Sequence, residues 1–178
     1  ASSMGLLPLA AQQRLAERLA RLQVEVVALP TTNLWLLGRC GDEDLAQRPL
    51  APVRQLHRAG VVVAVGGDNV QDPWDPGSDF DPLELLRLAS RVCHCPPWQR
   101  QGLTPFTTAP ARMLGLAWDG IVRRGSPADL VITSATSWSE LLARSPQRRV
   151  LRGGQWLPAP PTQQPSPALA RLDASTLR

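Results

Sequence analysis

The chain has 178 residues, 43% hydrophobic and 19% charged, with a formal net charge of +4, which suffices for one ordinary domain with a core and argues against wholesale disorder. No apolar run approaches the length of a membrane span, and no basic segment followed by an apolar one marks a secretory signal. All 19 cations are arginine, but they stand singly or in pairs such as Arg123-Arg124 and Arg148-Arg149. Without a dense basic stripe, nucleic acid is not an expected partner, and neither is a membrane.

Cys40, Cys93 and Cys95 form an odd, unevenly spaced set. They do not read as a disulfide framework, which places the expected compartment in a reducing cytoplasm. The start at Ala1 rather than at a methionine suggests a processed or truncated beginning.

In chain order, Leu9–Leu22 carries Leu15, Leu19 and Leu22 on one side and Gln12, Gln13 and Glu17 on the other, the pattern of an amphipathic helix. Val24–Leu29 is a short β-branched run that ends at Pro30, a strand. A loop rich in Gly, Asp and Arg leads to a helix over Ala51–Ala59, stopped by Gly60. Val61–Val65 is apolar at every position, which predicts a strand buried on both faces, as in a parallel sheet. A loop rich in Pro, Gly and Asp runs to Asp79. Leu83–Val92 then reads as a helix, with Asp81 as N-cap and Pro82 in the first turn. Another short helix, over Ala109–Leu114, takes Thr107 or Thr108 as its cap. The rhythm to this point is that of repeated β/α units, and the class is α/β.

Beyond Leu116 the pattern changes. Gly120–Val122, Leu130–Ile132, Val150–Arg152 and Gln155–Leu157 read as short strands, with Ser139–Ala143 as a helical turn between them. The expected division is 1–116 for the β/α part, 117–157 for a small β portion and 158–178 for a proline-rich mobile tail.

Chemistry in such repeats gathers at the C-terminal ends of the strands. Asp68 follows a buried strand and two glycines. It is placed either to bind a metal, orient water or take a proton, or merely to shape a turn. Trp74, in the loop beyond, either packs on that loop or lines a pocket. Asp72, Asp75, Asp79 and Asp81 do not have the alternating spacing of a calcium loop and read as solvated turn residues. Cys93-His94-Cys95 has no second donor group to complete a tetrahedron, and neighbouring helical side chains diverge. His57 reads as a solvent-facing residue on an outer helix.

Several segments together resemble the amidohydrolase superfamily, and most closely its cytosine deaminase branch. They are Leu29–Arg39, the Gly67-Asp68-Asn69-Val70-Gln71-Asp72-Pro73-Trp74 loop, Asp81–Leu86, Thr108–Leu116 and Gly120–Val131. The Asp-Asn-x-x-Asp-Pro-Trp loop is the most specific of these, and the likeness covers roughly residues 1–157.

The resemblance implies the C-terminal part of a metal-dependent (β/α)8 TIM barrel, followed by part of a small β-sandwich domain. Val24–Leu29 would be the seventh barrel strand and Val61–Val65 the eighth. Asp68 matches the aspartate that contacts the divalent metal, iron or zinc, and that serves as proton acceptor. Asn69 and Trp74 match positions that border the substrate. The family's His-x-His pair, its two further histidines and its acid/base glutamate are expected upstream of Ala1, since a full barrel takes about 250 residues. The chain is therefore expected to be a C-terminal fragment of a hydrolase that converts cytosine to uracil and ammonia, inactive alone. Its expected partner is a small nitrogen heterocycle, with a homo-oligomer as a further expectation. The rival readings are an amidohydrolase acting on another cyclic amide or amine, and a noncatalytic half-barrel for binding or assembly.

Overall fold

A computed structural model describes residues 1–37 and 49–158. Cys40 and the proline-rich stretch beyond Pro158 lie outside the described residues. Two compact units divide the chain: Ala1–Pro127 with Ser134–Gln147, and Ala128–Thr133 with the residues from Arg148 onward.

The first unit is built on a parallel pair of strands, β1 (Val26–Ala28) and β2 (Val63–Val65), in the register Val26↔Val63 and Ala28↔Val65. Both are shorter than their apolar runs in the sequence. Every residue of β2 is buried, as expected of an unbroken apolar run in a parallel sheet. In β1 only Val27, 48% exposed, faces out. A helix over Leu9–Arg21 (α1) and one over Val53–Arg58 (α3) cover the pair, and Ala16 and Leu56 are fully buried against the strands.

Between β1 and α3 lies a helix the sequence reading did not foresee, α2 (Pro30–Leu36), with Pro30 in its first turn. The helix over Pro82–Val92 (α4) begins at the expected cap: the Leu83 N–H donates to Asp81 Oδ1 at 2.9 Å. Thr107 precedes the next helix, α5 (Thr108–Met113), but its hydroxyl donates to the Leu103 carbonyl at 2.9 Å instead of capping.

The short helix α6 (Trp138–Ala143) also belongs to this unit. Leu141 and Leu142 pack on Leu86 of α4. Arg87 donates to the Leu142 and Ala143 carbonyls at 3.3 and 3.2 Å, and Arg91 donates to the Leu142 carbonyl at 2.8 Å. Cations thus satisfy the orphan carbonyls of the last turn, where a helix end favours positive charge.

The expected strand at Gly120–Val122 does not form. Ile121 N–H donates to Asp119 Oδ1, and its carbonyl accepts from Trp118 Nε1 and Ser126 Oγ. Side chains have taken the groups a ladder would need.

The second unit is an antiparallel sheet in the order β3 (Leu130–Thr133), β4 (Arg148–Arg152), β5 (Gln155–Trp156). Gly153 and Gly154 join the last two with φ of 56° and 77°, the left-handed pair that a two-residue hairpin turn requires. The Gly153 N–H donates to Asp129 Oδ1 at 2.6 Å, and the Arg149 guanidinium sits 3.8 Å from the Trp156 ring centroid. No helix among the described residues is long and apolar enough to cross a membrane.

Candidate active site

Parallel pairing brings the C-terminal ends of β1 and β2 to one edge, and the Gly66 N–H extends the ladder by donating to the Ala28 carbonyl at 2.9 Å. Residue 66 has no room for more than glycine without adjustment: a Cβ there would meet Leu29 Cδ2 at 3.3 Å and Val27 Cγ1 at 3.4 Å. The chain then turns, and Asp68 takes a left-handed conformation with φ of 67°. Such a conformation is uncommon for a side-chain-bearing residue and persists only where neighbours hold it.

The neighbour is Thr32 of α2, which is 2% exposed. Its hydroxyl donates to the Gly67 carbonyl at 3.3 Å and accepts from the Asn69 N–H at 3.2 Å. One side chain from the β1 loop therefore grips both residues flanking Asp68. The Asp68 side chain is exposed at the strand-end face. Thr32 was quoted in the sequence resemblance but was given no role there; the signal available was a hydroxyl residue one turn past a strand end.

Beyond Asp68 the loop is organised by its own polar groups. Asn69 Nδ2 donates to Asp72 Oδ2 at 2.6 Å, and Asp72 Oδ1 accepts from the Trp74 and Asp75 N–H groups at 2.9 and 2.8 Å. These bonds, the Asn69 amide foremost, hold the Asp72 carboxyl below the usual carboxylate range. Ser78 Oγ donates to the Asn69 carbonyl at 2.5 Å. The Asn69 amide is thus committed to the loop on its nitrogen side, whereas Trp74 stands 63% exposed.

The expectation that the loop carboxylates are all solvated turn residues fails at Asp75. Its side chain is 3% exposed and Oδ2 has no hydrogen-bond partner. Asp79 and Asp81 do serve the turn, the former accepting from the Asp81 N–H at 2.8 Å.

Two further expectations change. His57 is half-buried rather than solvent-facing, and burial pushes its pKa down. The Cys93 and Cys95 thiols do not diverge. His94, just past α4, has φ of 51° and reverses the chain, so both cysteines are buried in one core, where the Cys95 thiol donates to the Ala89 carbonyl at 3.3 Å. The neighbouring Cys95 thiol, and burial after it, push the Cys93 thiol up. His94 itself is exposed.

Among the described residues, no group of three or more His, Cys, Asp or Glu side chains is placed to hold a metal ion. Asp68 is a competent oxygen donor at the strand-end face, but a catalytic zinc site takes three protein ligands. These residues do not by themselves make such a site.

Comparison with known proteins fits this geometry. The model of the Amidohydrolase family matches residues 2–157. Pterin deaminase from Rhizobium rhizogenes is 38% identical over 137 residues, covering 76% of this chain and 31% of that protein. Imidazolonepropionase from Deinococcus deserti is 36% identical over 111 residues, covering 60% of this chain and 26% of the relative. Among solved structures, 5-methylcytosine deaminase from Klebsiella pneumoniae, liganded with 5-fluorocytosine, superposes with a TM-score of 0.75 at 28% identity, over 92% of this chain and 40% of that one. N-isopropylammelide isopropylaminohydrolase from Burkholderia multivorans gives a TM-score of 0.65 at 27% identity, over 87% of this chain and 37% of that one. The chain thus spans between about a quarter and a third of the length of the curated relatives it matches. With its α/β order, parallel strand pair and matched span, it belongs to the amidohydrolase family.

Proposed function

We propose that these residues are the C-terminal portion of a metal-dependent hydrolase that deaminates a nitrogen heterocycle, with cytosine to uracil plus ammonia as the reaction. The observation that carries the reading is the placement of Asp68: left-handed, at the end of a fully buried parallel strand, with both neighbours held by Thr32. A turn aspartate needs no such grip. In this reading β1 and β2 are the seventh and eighth strands of a (β/α)8 barrel, residues 1–116 its C-terminal part and residues 117–157 part of a small β-sandwich.

A divalent metal, iron or zinc, would supply Lewis acidity toward water and substrate when bound. Asp68 would be its one ligand among the described residues, and the remaining donors would come from outside them. Asp68 also moves the proton. The oxygen of water bonds to the ring carbon that bears the amino group, while the Asp68 carboxylate accepts a proton from that water and returns it to the substrate. The proton left on the new hydroxyl passes to the amino nitrogen, the C–N bond breaks as the carbonyl forms, and nitrogen leaves as ammonia. The exposed Trp74 indole offers a flat apolar wall for the ring, and the Asn69 carboxamide oxygen, its nitrogen held by Asp72, stands next to Asp68 to accept from ring donors.

A second reading, hydrolysis of another cyclic amide or amine, draws on the relatives: pterin deaminase and imidazolonepropionase act on rings other than cytosine. The test uses the product of the whole reading frame that encodes these residues, assayed for ammonia release from cytosine, 5-methylcytosine and pterin. Cytosine should be the preferred substrate, and Asp68→Asn should lower turnover by at least about 100-fold, in the range typical of a lost proton-transfer group. An Asp68→Asn protein with undiminished turnover would sink the assignment; preference for pterin would favour the second reading.

A further inference from the structure

We propose that the surface between α3 and the segment following α4 is a binding site for a small phosphate-class oxyanion, free or as a terminal phosphoryl group. A cavity of about 240 Å³ there is lined by Arg54, His57 and Arg58 from α3 and by His94, Gln99 and Arg100 from the segment beyond α4. Among the described residues, none from the loops that follow β1 and β2 lines it, and Asp68, Asn69 and Trp74 are not part of its lining, so the proposal does not rest on the function proposed for that face.

The arginines that look scattered in the sequence are gathered here by two devices. Arg54, His57 and Arg58 recur at three- and four-residue spacing on α3 and so share one face. Opposite them, left-handed His94 turns the chain, and the Gln99 and Gly102 N–H groups close consecutive turns onto the Pro96 and Gln99 carbonyls at 3.1 and 2.8 Å. Those turns carry Arg100 back to the cavity.

Among the described residues, no carboxylate lines the cavity. The guanidiniums of Arg87, Arg112 and Arg123 make ion pairs with Glu84, Glu25 and Asp119, and Arg91 serves the end of α6. Among the described residues, Arg54, Arg58 and Arg100 have no such pair. Exposed like charges held together without a counterion repel one another, and a bound anion relieves that repulsion. Guanidinium forks match tetrahedral oxyanions through paired N–H donors, and arginine, the only cation this chain uses, suits phosphate in this way. The volume is below the usual range for whole organic ligands, which fits a small ion or the end of a larger molecule.

The test is isothermal titration calorimetry of the product of the whole reading frame that encodes these residues, with inorganic phosphate in 0.15 M sodium chloride. Saturable one-to-one binding is expected. Arg58→Gln with Arg100→Gln should weaken it by about tenfold or more, the loss that follows removal of charge-assisted hydrogen bonds. Arg14→Gln with Arg18→Gln on α1 removes the same charge elsewhere and should change it less than about twofold, the limit for screened, distant charges. Arg54→Gln alone provides a milder variant if the first pair misfolds. Phenyl phosphate that competes with inorganic phosphate identifies the ligand as a terminal phosphoryl group; failure to compete restricts it to the free ion.

Absence of saturable heat up to about 10 mM phosphate, a weak limit for any specific site, would overturn the proposal. So would equal losses from both arginine pairs, which would mean diffuse charge only.

Discussion

Thr32→Val isolates the grip on Asp68. Valine keeps the shape of threonine, so no cavity forms; what disappears is a hydroxyl that donates to the Gly67 carbonyl at 3.3 Å and accepts from the Asn69 N–H at 3.2 Å. Thr32 is 2% exposed, so water cannot readily replace it. At a net worth of about 1 kcal/mol per hydrogen bond, the loss is about 2 kcal/mol, and more if either backbone group stays dry. For a chain of this size that corresponds to a fall in melting temperature of about 4–8 °C.

The functional consequence should exceed the stability loss. With its neighbours released, Asp68 is free to leave the left-handed well, where it sits at a cost of about 1 kcal/mol or more. Its carboxylate would then no longer hold one position. In the whole protein, ammonia release should fall for Thr32→Val and be largely restored in Thr32→Ser, which retains the hydroxyl and lacks only the methyl group. Thermal unfolding and ammonia assays on the two variants form the comparison. If valine and serine were equally active, the hydroxyl would not position Asp68.

Trp74→Ala should leave stability within about 0.5 kcal/mol, as at ordinary surface sites, because the indole is 63% exposed, whereas turnover of the ring substrate should drop; equal losses in urea unfolding and in activity would assign Trp74 to loop packing. Asp81→Ala should destabilise the chain by about 1 kcal/mol in urea unfolding through loss of the α4 cap, and an unchanged midpoint would contradict that role. Burial lowers the pKa of His57 below its ordinary value of 6.5, so between the folded and unfolded values the unfolded chain binds more protons. Its contribution to stability is therefore complete above pH 6.5 and is lost as pH falls toward the depressed value. Urea midpoints should decline with acid less steeply in His57→Gln than in the parent, and parallel profiles would show that the cationic cavity around His57 does not discriminate against its charged form.

How much of this was legible in the sequence depends on what each residue's signal competes with. Val61–Val65 announces β2 because no polar residue interrupts it, and Asp81-Pro82 announces the start of α4 because cap and first-turn preferences coincide there. The helix α2 hides: Pro30 ends an apolar strand and opens a helix at the same position, and two threonines lower the helical signal. Asp68 could be placed from its strand, but not its conformation, because the left-handed turn is imposed by a threonine 36 residues earlier in the sequence. The same physics separates Cys93-His94-Cys95 from its helical reading. Extrapolating α4 sends the side chains apart, yet a single positive φ at His94 turns both thiols into the core and leaves the imidazole outside. Local pattern thus specifies the strands and long helices that build the scaffold. The polar positions at its edges are set by contacts between segments distant in sequence, as Thr32 with Gly67 and Asn69, and no local pattern announces such contacts.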